Sequence, residues 1–253
     1  MPHLRQVIIL AAGQGTRLRP ATGALPKCLV KIGNKSFLER NLDNAAHYRD
    51  LSVCIVTGFQ KSKIQSCVDG YAGRLNVHLC TNPLYDKTNN AYSLWTALQE
   101  HPGPFVLLDG DLLYDPRLLE RLLKDPREDL VVVETDRSRL NAEAMKVECG
   151  VRPDVVTAIS KSISMERAAG ESIGMGKFST AWATLIFASL ANKMPQQSCH
   201  QIYYEDVIAP LLKKAPPLAM LPTAGLAWEE VDTPDDLAHA TQLWSQQTIF
   251  SAK

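Results

Sequence analysis

The segment Val7–Lys31 reads VIILAAGQGTRLRPATGALPKCLVK. It begins with four consecutive apolar residues, Val7–Leu10, which is typical of a strand buried on both faces. Small residues follow at once, and a backbone with so little side chain can approach a ligand closely and direct its N–H groups at an anion. Arg17 and Lys27 add two cations close to this loop. The segment therefore predicts a strand and loop that bind a polyphosphate.

Two better-known phosphate-binding motifs do not account for this segment. The P-loop pattern G-x-x-x-x-G-K-[ST] is absent, and the dinucleotide pattern G-x-G-x-x-G fails because Leu18 stands where its third glycine belongs. The longer pattern L-A-A-G-x-G-T-R, followed by P-K, resembles the signature of the sugar-phosphate nucleotidyltransferase superfamily. The resemblance implies that the loop binds a nucleoside triphosphate. The residues that it implies in this role are Leu10, Ala11, Ala12, Gly13, Gln14, Gly15, Thr16, Arg17 and Lys27.

The composition excludes some partners. Lys+Arg and Asp+Glu both number 27 in 253 residues, so no overall charge favours nucleic acid or an anionic membrane. No apolar run approaches the length of a membrane span, and MPHLRQ leads straight into the first predicted strand, so we expect no signal peptide. The six cysteines form no C-x-x-C pair, which favours buried thiols in a reducing cytoplasm over disulfides or zinc.

The order of the predicted elements indicates the fold class. Apolar strands alternate with helical stretches, which predicts a mostly parallel sheet with right-handed crossovers and a ligand at the carboxyl ends of the strands. The resemblance implies a Rossmann-like α/β fold of the nucleotide-diphospho-sugar transferase type, in one domain over residues 1–253. Short strands predicted at 145–148, 155–160 and 180–187 suggest a small β-rich acceptor lid, an insertion of about residues 145–200.

Two carboxylates flank a glycine after the strand that begins at Phe105. Asp115 and the following proline begin a helix as its cap and first residue, so Asp111 is not needed for capping. In the resembled superfamily the aspartate at this position binds Mg²⁺, and we predict that role for Asp111, with turn chemistry as the alternative. Asp109 and Gly110 are predicted next to the nucleotide, with a structural turn as the alternative for Asp109.

A second acidic segment, Trp228–Leu237, also precedes a helix. Thr233 is the predicted cap and Asp236 completes a capping box, so Asp232 is again not needed for capping. The resemblance implies that Asp232 is the second Mg²⁺ ligand, assisted by Glu230. The alternative for Asp232 is a favourable charge at a helix N-terminus.

The segment 82–93 carries the pattern N-x-x-Y-x-x-x-N-N-x-Y-S. It resembles a narrower group, the bacterial phosphocholine cytidylyltransferases and their aminoethylphosphonate-specific relatives. The resemblance implies that CTP is the nucleotide and that Asn82, Asn90 and Ser93 contact its base and ribose. Asn90 is equally suited to cap the helix that follows.

Two further segments, G-E-x-I-G at 170–174 and Y-E-D at 204–206, resemble the same group. Aromatic faces and carboxylates together can bind an ammonium group. Aromatic residues in such a region more often belong to the core, and carboxylates such as Glu171 and Glu205 also suit a solvated loop or a first helical turn. The predicted acceptor-binding residues are Tyr85, Glu171, Trp182, Tyr204, Glu205 and Trp228.

The predicted reaction is transfer of CMP from CTP to a small phosphate or phosphonate, with phosphocholine and 2-aminoethylphosphonate as the preferred acceptors and Mg²⁺ as cofactor. The attacking oxygen is already an anion, so catalysis requires positioning and charge neutralisation. Arg17 would stabilise charge on the pyrophosphate, and Lys27 charge on the α-phosphate. The alternatives are a sugar-1-phosphate nucleotidylyltransferase and a non-catalytic nucleotide-sensing module. The oligomeric state stays open, with a homodimer as one arrangement.

Overall fold

The computed structural model describes residues 6–23 and 25–246. Residues 1–5, on which the expectation of no signal peptide depends, lie outside the described residues. The strands are β1 (Gln6–Ala11), β2 (Lys31–Ile32), β3 (Lys35–Ser36), β4 (Ser52–Thr57), β5 (Asn76–Thr81), β6 (Phe105–Asp109), β7 (Leu112–Tyr114), β8 (Leu130–Glu134), β9 (Lys146–Cys149), β10 (Val156–Ser160), β11 (Gly170–Phe178), β12 (Ala219–Pro222) and β13 (Trp228–Glu230). The helices are α1 (Arg19–Thr22), α2 (Phe37–Ala46), α3 (Lys61–Asp69), α4 (Asn90–Glu100), α5 (Pro116–Lys124), α6 (Thr180–Lys193), α7 (Tyr204–Leu211) and α8 (Pro234–Gln246).

The central sheet has the order β10-β9-β11-β6-β1-β4-β5, and β8 pairs with both β11 and β12. The strands β6, β1, β4 and β5 are parallel to one another, whereas β11 runs antiparallel to β6 and β8. The prediction of a mostly parallel sheet flanked by helices is confirmed. No helix in the described ranges combines the length and apolar character that crossing a bilayer requires.

The core lies on both faces of this sheet. Val7 and Ile9 of β1 face α2, α3 and α5, while Ile8 faces α4, α6 and α7, as expected for a strand whose successive side chains alternate between faces. Helix α2 begins as predicted, because Ser36 Oγ accepts from the N–H of Glu39 and the Glu39 carboxylate accepts from the N–H of Ser36.

The pairing of β1 with β6 places the two predicted site segments side by side. Leu10 lies opposite Asp109 at the carboxyl ends of these strands. Gly110 N–H donates to Leu10 O at 3.0 Å, and a Cβ at Gly110 would lie 2.5 Å from that oxygen. Only glycine allows this close approach, so the D-G-D segment comes directly beside the glycine-rich loop.

The prediction of a strand at 180–187 is wrong. Residues Thr180–Lys193 form helix α6, which Ser179 caps by accepting from the N–H of Trp182. The apolar spacing that was interpreted as a strand instead buries Trp182, Ile186 and Leu190 on one side of a helix. The strands predicted at 145–148 and 155–160 are present as β9 and β10, and β9 joins the central sheet by antiparallel pairing with β11.

The cap of helix α4 differs from the alternative given for Asn90. Asn89, and not Asn90, caps α4, and its side chain accepts from the N–H of Asn90. The Asn90 side chain is therefore available for another contact. Helix α7 ends at Leu211, one residue after Pro210, because proline removes a donor and crowds the preceding turn.

Candidate active site

A cleft of about 380 Å³ opens at the carboxyl ends of the parallel strands. The loop after β1, the D-G-D segment after β6 and the first turn of α4 form its walls. The predicted nucleotide-binding residues that line it are Leu10, Ala11, Ala12, Gly13, Arg17, Lys27, Asn82, Asn90, Ser93, Asp109 and Gly110. Gln14, Gly15 and Thr16 belong to the same loop but do not line the cleft.

The loop after β1 has the backbone character of an anion site. Among the described residues, the N–H groups of residues 13–17 donate to no backbone carbonyl. Gly15 has a φ of 59°, and a Cβ there would lie 3.0 Å from Lys27 Cβ, so glycine allows the loop to pack on the lysine stem. The Gln14 carboxamide accepts from Arg19 Nη2 at 2.7 Å, which explains why it faces away from the cleft.

Three carboxylates that are far apart in sequence converge at the cleft. Asp111, Glu230 and Asp232 each offer an oxygen, and these oxygens lie within 4.8 Å of one another. Strand β13 pairs antiparallel with β7, so that Glu230 lies opposite Leu112 and Val231 N–H donates to Asp111 O. The pairing of these two short strands therefore assembles the predicted metal-binding group.

The start of α8 fixes the third carboxylate. Asp236 accepts from the N–H groups of Asp232 and Thr233, and the Thr233 hydroxyl accepts from the N–H of Asp236. The predicted capping box is therefore confirmed. The Asp232 carboxylate, which capping leaves free, points to the cations of the first loop.

Both predicted catalytic cations contact this group. Lys27 Nζ donates to Asp111 Oδ2 at 2.5 Å and also to Asp232 Oδ1, while Arg17 Nη2 donates to Asp232 Oδ2 at 2.6 Å. Burial lowers the pKa of Lys27, but the charges of the two aspartates outweigh burial and the pKa is raised. Burial likewise raises the pKa of Asp232, and the two cations reverse this to a lowered pKa. Both partners are therefore charged at neutral pH.

The carboxylate group also fits a divalent cation. Carboxylate oxygens are the ligands that Mg²⁺ prefers, and Mg²⁺ keeps several waters and substrate phosphates as its other ligands. Asp111 Oδ1 is buried and has no hydrogen-bond partner among the described residues, which leaves one oxygen of the group unsatisfied. Asp111 and Asp232, with Glu230 at the exposed rim, are the residues that would hold the ion.

A second cavity, of about 520 Å³, continues from the cleft and is called here the acceptor pocket. Its most buried carboxylate is Glu205, which is 5% exposed and whose Oε2 has no hydrogen-bond partner among the described residues. Burial raises the pKa of Glu205 to about 7 and that of the half-buried Glu171 also to about 7. The pocket thus holds carboxylates that lose their charge near neutral pH unless a cation joins them.

Strand β11 carries Glu171, which lines this pocket, and it also carries Gly174, which lies next to the D-G-D segment. Gly174 has a φ of 79°, and a Cβ there would lie 2.5 Å from Asp109 Oδ2. Burial, followed by the charges of Asp111, Glu205 and Glu230, raises the pKa of Asp109 well above its usual range. The Tyr204 hydroxyl donates to Asp109 at 3.4 Å.

The aromatic rings at the pocket are already covered by cations of the chain. The Arg139 guanidinium lies 4.5 Å from the ring centroid of Trp228, and Lys161 Nζ lies 4.9 Å from that of Tyr203. The Trp228 indole N–H donates to Glu134 Oε2 at 2.8 Å, so this ring is also fixed at its edge. The rings therefore act as packing partners of Arg139 and Lys161.

The structure brings three of the six predicted acceptor-binding residues to one cavity, and their role in binding an acceptor stays a prediction. Glu171, Glu205 and Trp228 line the acceptor pocket, whereas Tyr85 lines the nucleotide cleft. Tyr204 lines neither cavity and is buried behind Asp109. The prediction for Trp182 is wrong, because this residue is fully buried in the core and its indole N–H donates to Pro216 O.

Two basic residues that line the acceptor pocket, Arg139 and Lys161, were not predicted. Lys161 lines both cavities, and Arg139 lies between Trp228, Glu134 and Glu229. Each is a basic residue after a strand or in a loop, a pattern shared with ordinary surface positions, so the sequence carries no signal for them. Their roles depend on partners that are distant in sequence.

The polar residues of the segment 82–93 form a connected group. Asn82 Nδ2 donates to Ser93 Oγ and to Thr88 Oγ1, at 3.1 and 3.0 Å. Asn90 Oδ1 accepts from the N–H of Tyr204 at 2.9 Å and so connects α4 to α7. These contacts place Asn82, Asn90 and Ser93 on the cleft wall, and their contact with a base or ribose stays a prediction.

Comparison with known proteins gives consistent matches. A model of the MobA-like NTP transferase domain matches residues 7–215. The CMP-5'-(3-aminopropyl)phosphonate synthase of Streptomyces rubellomurinus is 25% identical over 244 residues, which are 93% of this chain but only 38% of that protein. The CTP:phosphoglutamine cytidylyltransferase of Campylobacter jejuni is 24% identical over 197 residues, 72% of this chain and 76% of that protein.

Solved structures share the fold. The CTP:phosphocholine cytidylyltransferase of Streptococcus pneumoniae superposes with a TM-score of 0.72, at 21% identity, over 96% of this chain and 99% of that chain. At this identity the superposition supports the fold alone. The shared fold is the mostly parallel sheet whose carboxyl edge holds the cleft described above.

Proposed function

Because the chain belongs to the family of the MobA-like NTP transferase domain, we propose that it is a Mg²⁺-dependent cytidylyltransferase that transfers CMP from CTP to a small aminoalkyl phosphate or phosphonate. The observation that carries the proposal is the junction of two cavities. A cleft with a glycine-rich loop, two cations and three carboxylates opens into a pocket in which no described residue hydrogen-bonds to the buried Oε2 atom of Glu205. A substrate that is anionic at one end and cationic at the other fits across this junction.

The reaction is an in-line displacement at the α-phosphorus of CTP. An oxygen of the acceptor phosphate or phosphonate forms the new P–O bond, and the bond to the β-phosphate oxygen breaks, with its electron pair leaving on pyrophosphate. Lys27 is buried next to Asp111 and Asp232, so its charge is fixed where the α-phosphate enters. Arg17 has a side chain that is 66% exposed and is free to follow the leaving pyrophosphate.

Mg²⁺, held by Asp111 and Asp232 with Glu230 at the rim, would act as a Lewis acid that neutralises phosphate oxygens. Strand β13 and the start of α8 hold the carboxylates of Glu230 and Asp232 next to that of Asp111. The side chains of Lys27 and Arg17 balance this group by their positive charge. Phosphates and a cation that enter the cleft then exchange partners with groups that are already in position.

The acceptor pocket favours a primary ammonium over a trimethylammonium group. A trimethylammonium group carries no N–H donor and is bound mainly by open aromatic faces. Here the cationic groups of Arg139 and Lys161 already lie over the rings of Trp228 and Tyr203, respectively. A primary ammonium group offers three hydrogen-bond donors. Glu205 provides a carboxylate oxygen to which no described residue hydrogen-bonds. The acceptor that fits best is therefore an unmethylated amine such as 2-aminoethylphosphonate.

The choice of CTP is supported by the segment 82–93 and by the two relatives, whose names refer to CMP or CTP. The cleft wall that this segment forms carries amide and hydroxyl groups, which suit hydrogen bonds to a base. The relatives are distant and the first of them is much longer than this chain, so the nucleotide is part of the proposal.

A pyrophosphate-release assay with matched acceptors tests the proposal. Phosphoethanolamine and phosphocholine differ only in the methyl groups on nitrogen, and 2-aminoethylphosphonate and ethylphosphonate only in the amine. We expect turnover with CTP, and kcat/KM at least about tenfold higher for the unmethylated amine of the first pair, the ratio that about 1.4 kcal/mol of differential binding gives. Glucose 1-phosphate, UTP and ATP serve as competing substrates.

Each other outcome contradicts a defined part of the proposal. Higher kcat/KM for phosphocholine contradicts the preference for a primary amine. Turnover with glucose 1-phosphate alone replaces the acceptor class and leaves nucleotidyl transfer in place. Nucleotide binding without pyrophosphate release in the presence of any of these acceptors identifies a sensing module and overturns the assignment as an enzyme.

A further inference from the structure

Two thiols and an imidazole converge outside both cavities. Cys54 and Cys80 have their sulfur atoms 3.0 Å apart, and each of Cys54, Cys80 and His101 offers a donor atom within 4.8 Å of the others. The Glu100 carboxylate lies 3.5 Å from Cys80 Sγ. None of these residues lines the nucleotide cleft or the acceptor pocket. This group is called here the thiol–imidazole cluster.

The fold explains why the thiols meet although they are 26 residues apart. Cys54 on β4 pairs with His78 on β5, and Cys80 follows His78 by two positions, so both thiols point to the same face of the sheet. Helix α4 packs on that face and ends at Glu100, with His101 as its C-terminal cap residue. Three separate elements thus bring their donors to one place.

The burial of the cluster is graded from inside to outside. Cys54 and Cys80 are 1% and 0% exposed, His101 is intermediate, and Glu100 is exposed. Among residues 6–23 and 25–246, no group hydrogen-bonds to the ring nitrogens of His101. The cluster therefore extends from two buried thiols to a carboxylate at the surface, which is the side from which an ion would reach it.

We propose that Cys54, Cys80 and His101 bind Zn²⁺. The Glu100 carboxylate lies near Cys80 Sγ but is not within 4.8 Å of all three donor atoms, so its exposed side chain must rotate inward to become the fourth ligand. Thiolate sulfur and imidazole nitrogen are the donors that suit zinc, and a carboxylate oxygen is an accepted fourth partner in a tetrahedral set. Two sulfurs at about 2.3 Å from a tetrahedral ion lie about 3.8 Å apart, so the thiols must separate slightly on binding. Each thiol that binds as a thiolate releases its proton.

Four protein ligands leave no open position on the ion, which makes this a structural site. The ion would join β5, which is the edge strand of the sheet, to the C-terminal end of α4. The opposite end of α4 carries Asn90 and Ser93 on the cleft wall. Zinc would therefore stabilise the helix that positions this wall without taking part in the transfer reaction.

Cobalt substitution followed by zinc analysis tests the proposal on the full chain. Reduced protein, freed of metal with a chelator, is titrated with Co²⁺ and then with Zn²⁺. We expect a thiolate-to-cobalt charge-transfer band in the near ultraviolet, displacement of this band by Zn²⁺, and about one zinc per chain by elemental analysis after dialysis. The carboxylates of the nucleotide cleft cannot produce a thiolate band, but Cys28 also lines that cleft, so the band shows a cysteine ligand and the substitutions below assign it to the cluster.

Substitutions locate the site. Cys80→Ser should abolish the band, and His101→Gln, at a position nearer the surface, should keep the fold and weaken zinc binding on the order of a hundredfold. Cys149→Ser is the matched control, because Cys149 is half-buried and lies outside the cluster; its band should equal that of the unmodified chain. If Cys80→Ser fails to fold, His101→Gln and the band of the unmodified chain decide.

Three results would overturn the proposal. The first is the absence of a thiolate band in the folded, reduced chain with excess Co²⁺. The second is a band that persists unchanged in folded Cys80→Ser or His101→Gln. The third is formation of a Cys54–Cys80 disulfide under mild oxidation in a chain that takes up no metal when reduced, which would identify a redox pair instead.

Discussion

The nucleotide cleft and the acceptor pocket are adjacent, yet their charges are arranged in opposite ways. In the cleft, Lys27 and Arg17 contact the carboxylates of Asp111 and Asp232 directly. In the pocket, no described residue hydrogen-bonds to Glu205 Oε2, and the nearby cations lie over aromatic rings. The cleft is thus balanced within the chain, whereas the pocket gains its balancing charge when a cationic ligand enters. Substitutions should therefore affect the two regions differently.

The largest expected effect comes from the cation of the cleft. Lys27→Ala removes a fixed charge next to the reacting phosphate and leaves two carboxylates without their common partner. We expect kcat to fall on the order of a hundredfold or more. Stopped assays of pyrophosphate release measure this, with Lys35→Ala as a control because Lys35 pairs with Asp43 at the surface. Near-normal turnover in folded Lys27→Ala would remove this residue from the catalytic group.

The second effect tests the carboxylates of the same group. Asp111→Asn keeps the shape of the side chain but removes its charge, and we expect the Mg²⁺ concentration for half-maximal activity to rise about 10- to 100-fold. Magnesium titrations at saturating CTP measure the change. Asp115→Asn is unsuitable as a control because Asp115 caps α5, so Asp50→Asn, at an exposed turn, serves instead. An unchanged magnesium requirement would show that Asp111 does not bind the ion.

The sequence predicted the cleft better than the pocket because the cleft depends on local patterns. The glycine-rich loop, Lys27 and the D-G-D segment lie in or directly after buried strands, and parallel strands bring their carboxyl ends together by rule. Capping also helped. Thr233 and Asp115 were recognised as caps, and this left Asp232 and Asp111 as the carboxylates without a structural duty.

The pocket depends on contacts that no local pattern announces. Arg139 gains its role from Glu134, Trp228 and Glu229, which lie on β8 and β13. The error at residues 180–187 has a similar origin. The β-branched and aromatic residues of this segment favour a strand locally, whereas the Ser179 cap and the packing of the segment on the core make it a helix. Once this segment is a helix, Trp182 turns to the core and away from the acceptor.

The third effect separates the pocket from the cleft. Glu205→Gln retains the volume of the side chain but cannot pair with an ammonium group, so KM for an amine acceptor should rise about 10- to 30-fold, or about 1.4 to 2 kcal/mol. KM for ethylphosphonate, which has no amine, should change less than about twofold by the same reasoning. Glu143→Gln, whose carboxylate is 86% exposed at the rim of the same pocket, is the matched control.

An equal rise in KM for both acceptors would show that Glu205 shapes the pocket without pairing with the amine. The ratio of the two KM values is therefore the quantity to report. A change in kcat with constant KM would instead place Glu205 with the reacting groups. Either result would weaken the contrast between the two regions.

The fourth effect is a pH dependence with a defined sign. Burial raises the pKa of Glu205 and of Glu171 to about 7 in the protein without acceptor. Below that pH the carboxylates are protonated and neutral, and above it they are charged.

KM for 2-aminoethylphosphonate relative to that for ethylphosphonate should therefore rise as pH falls, by about tenfold from pH 8 to pH 6 if one carboxylate dominates. Because the ammonium group lowers the second pKa of the phosphonate in 2-aminoethylphosphonate, each KM is first corrected for the fraction of acceptor that is the dianion at that pH. Glu205→Gln should flatten this profile, and a flat profile in the unmodified chain would contradict it.

The smallest effect on catalysis is expected from the tryptophan that the sequence placed in the wrong region. Trp182→Phe removes the hydrogen bond to Pro216 O within the core, which should lower the free energy of unfolding by about 1 kcal/mol while leaving kcat and KM unchanged within about twofold.

Trp228→Phe removes a comparable hydrogen bond, but its acceptor is Glu134, which also contacts Arg139 at the pocket. We therefore expect Trp228→Phe to raise KM for the amine acceptor several-fold in addition to destabilising the fold. Urea unfolding and acceptor titrations on the two variants measure both quantities. Equal acceptor KM values for the two variants would mean that Trp228, like Trp182, serves the core alone, and the pocket would then depend on its carboxylates without a ring to position them.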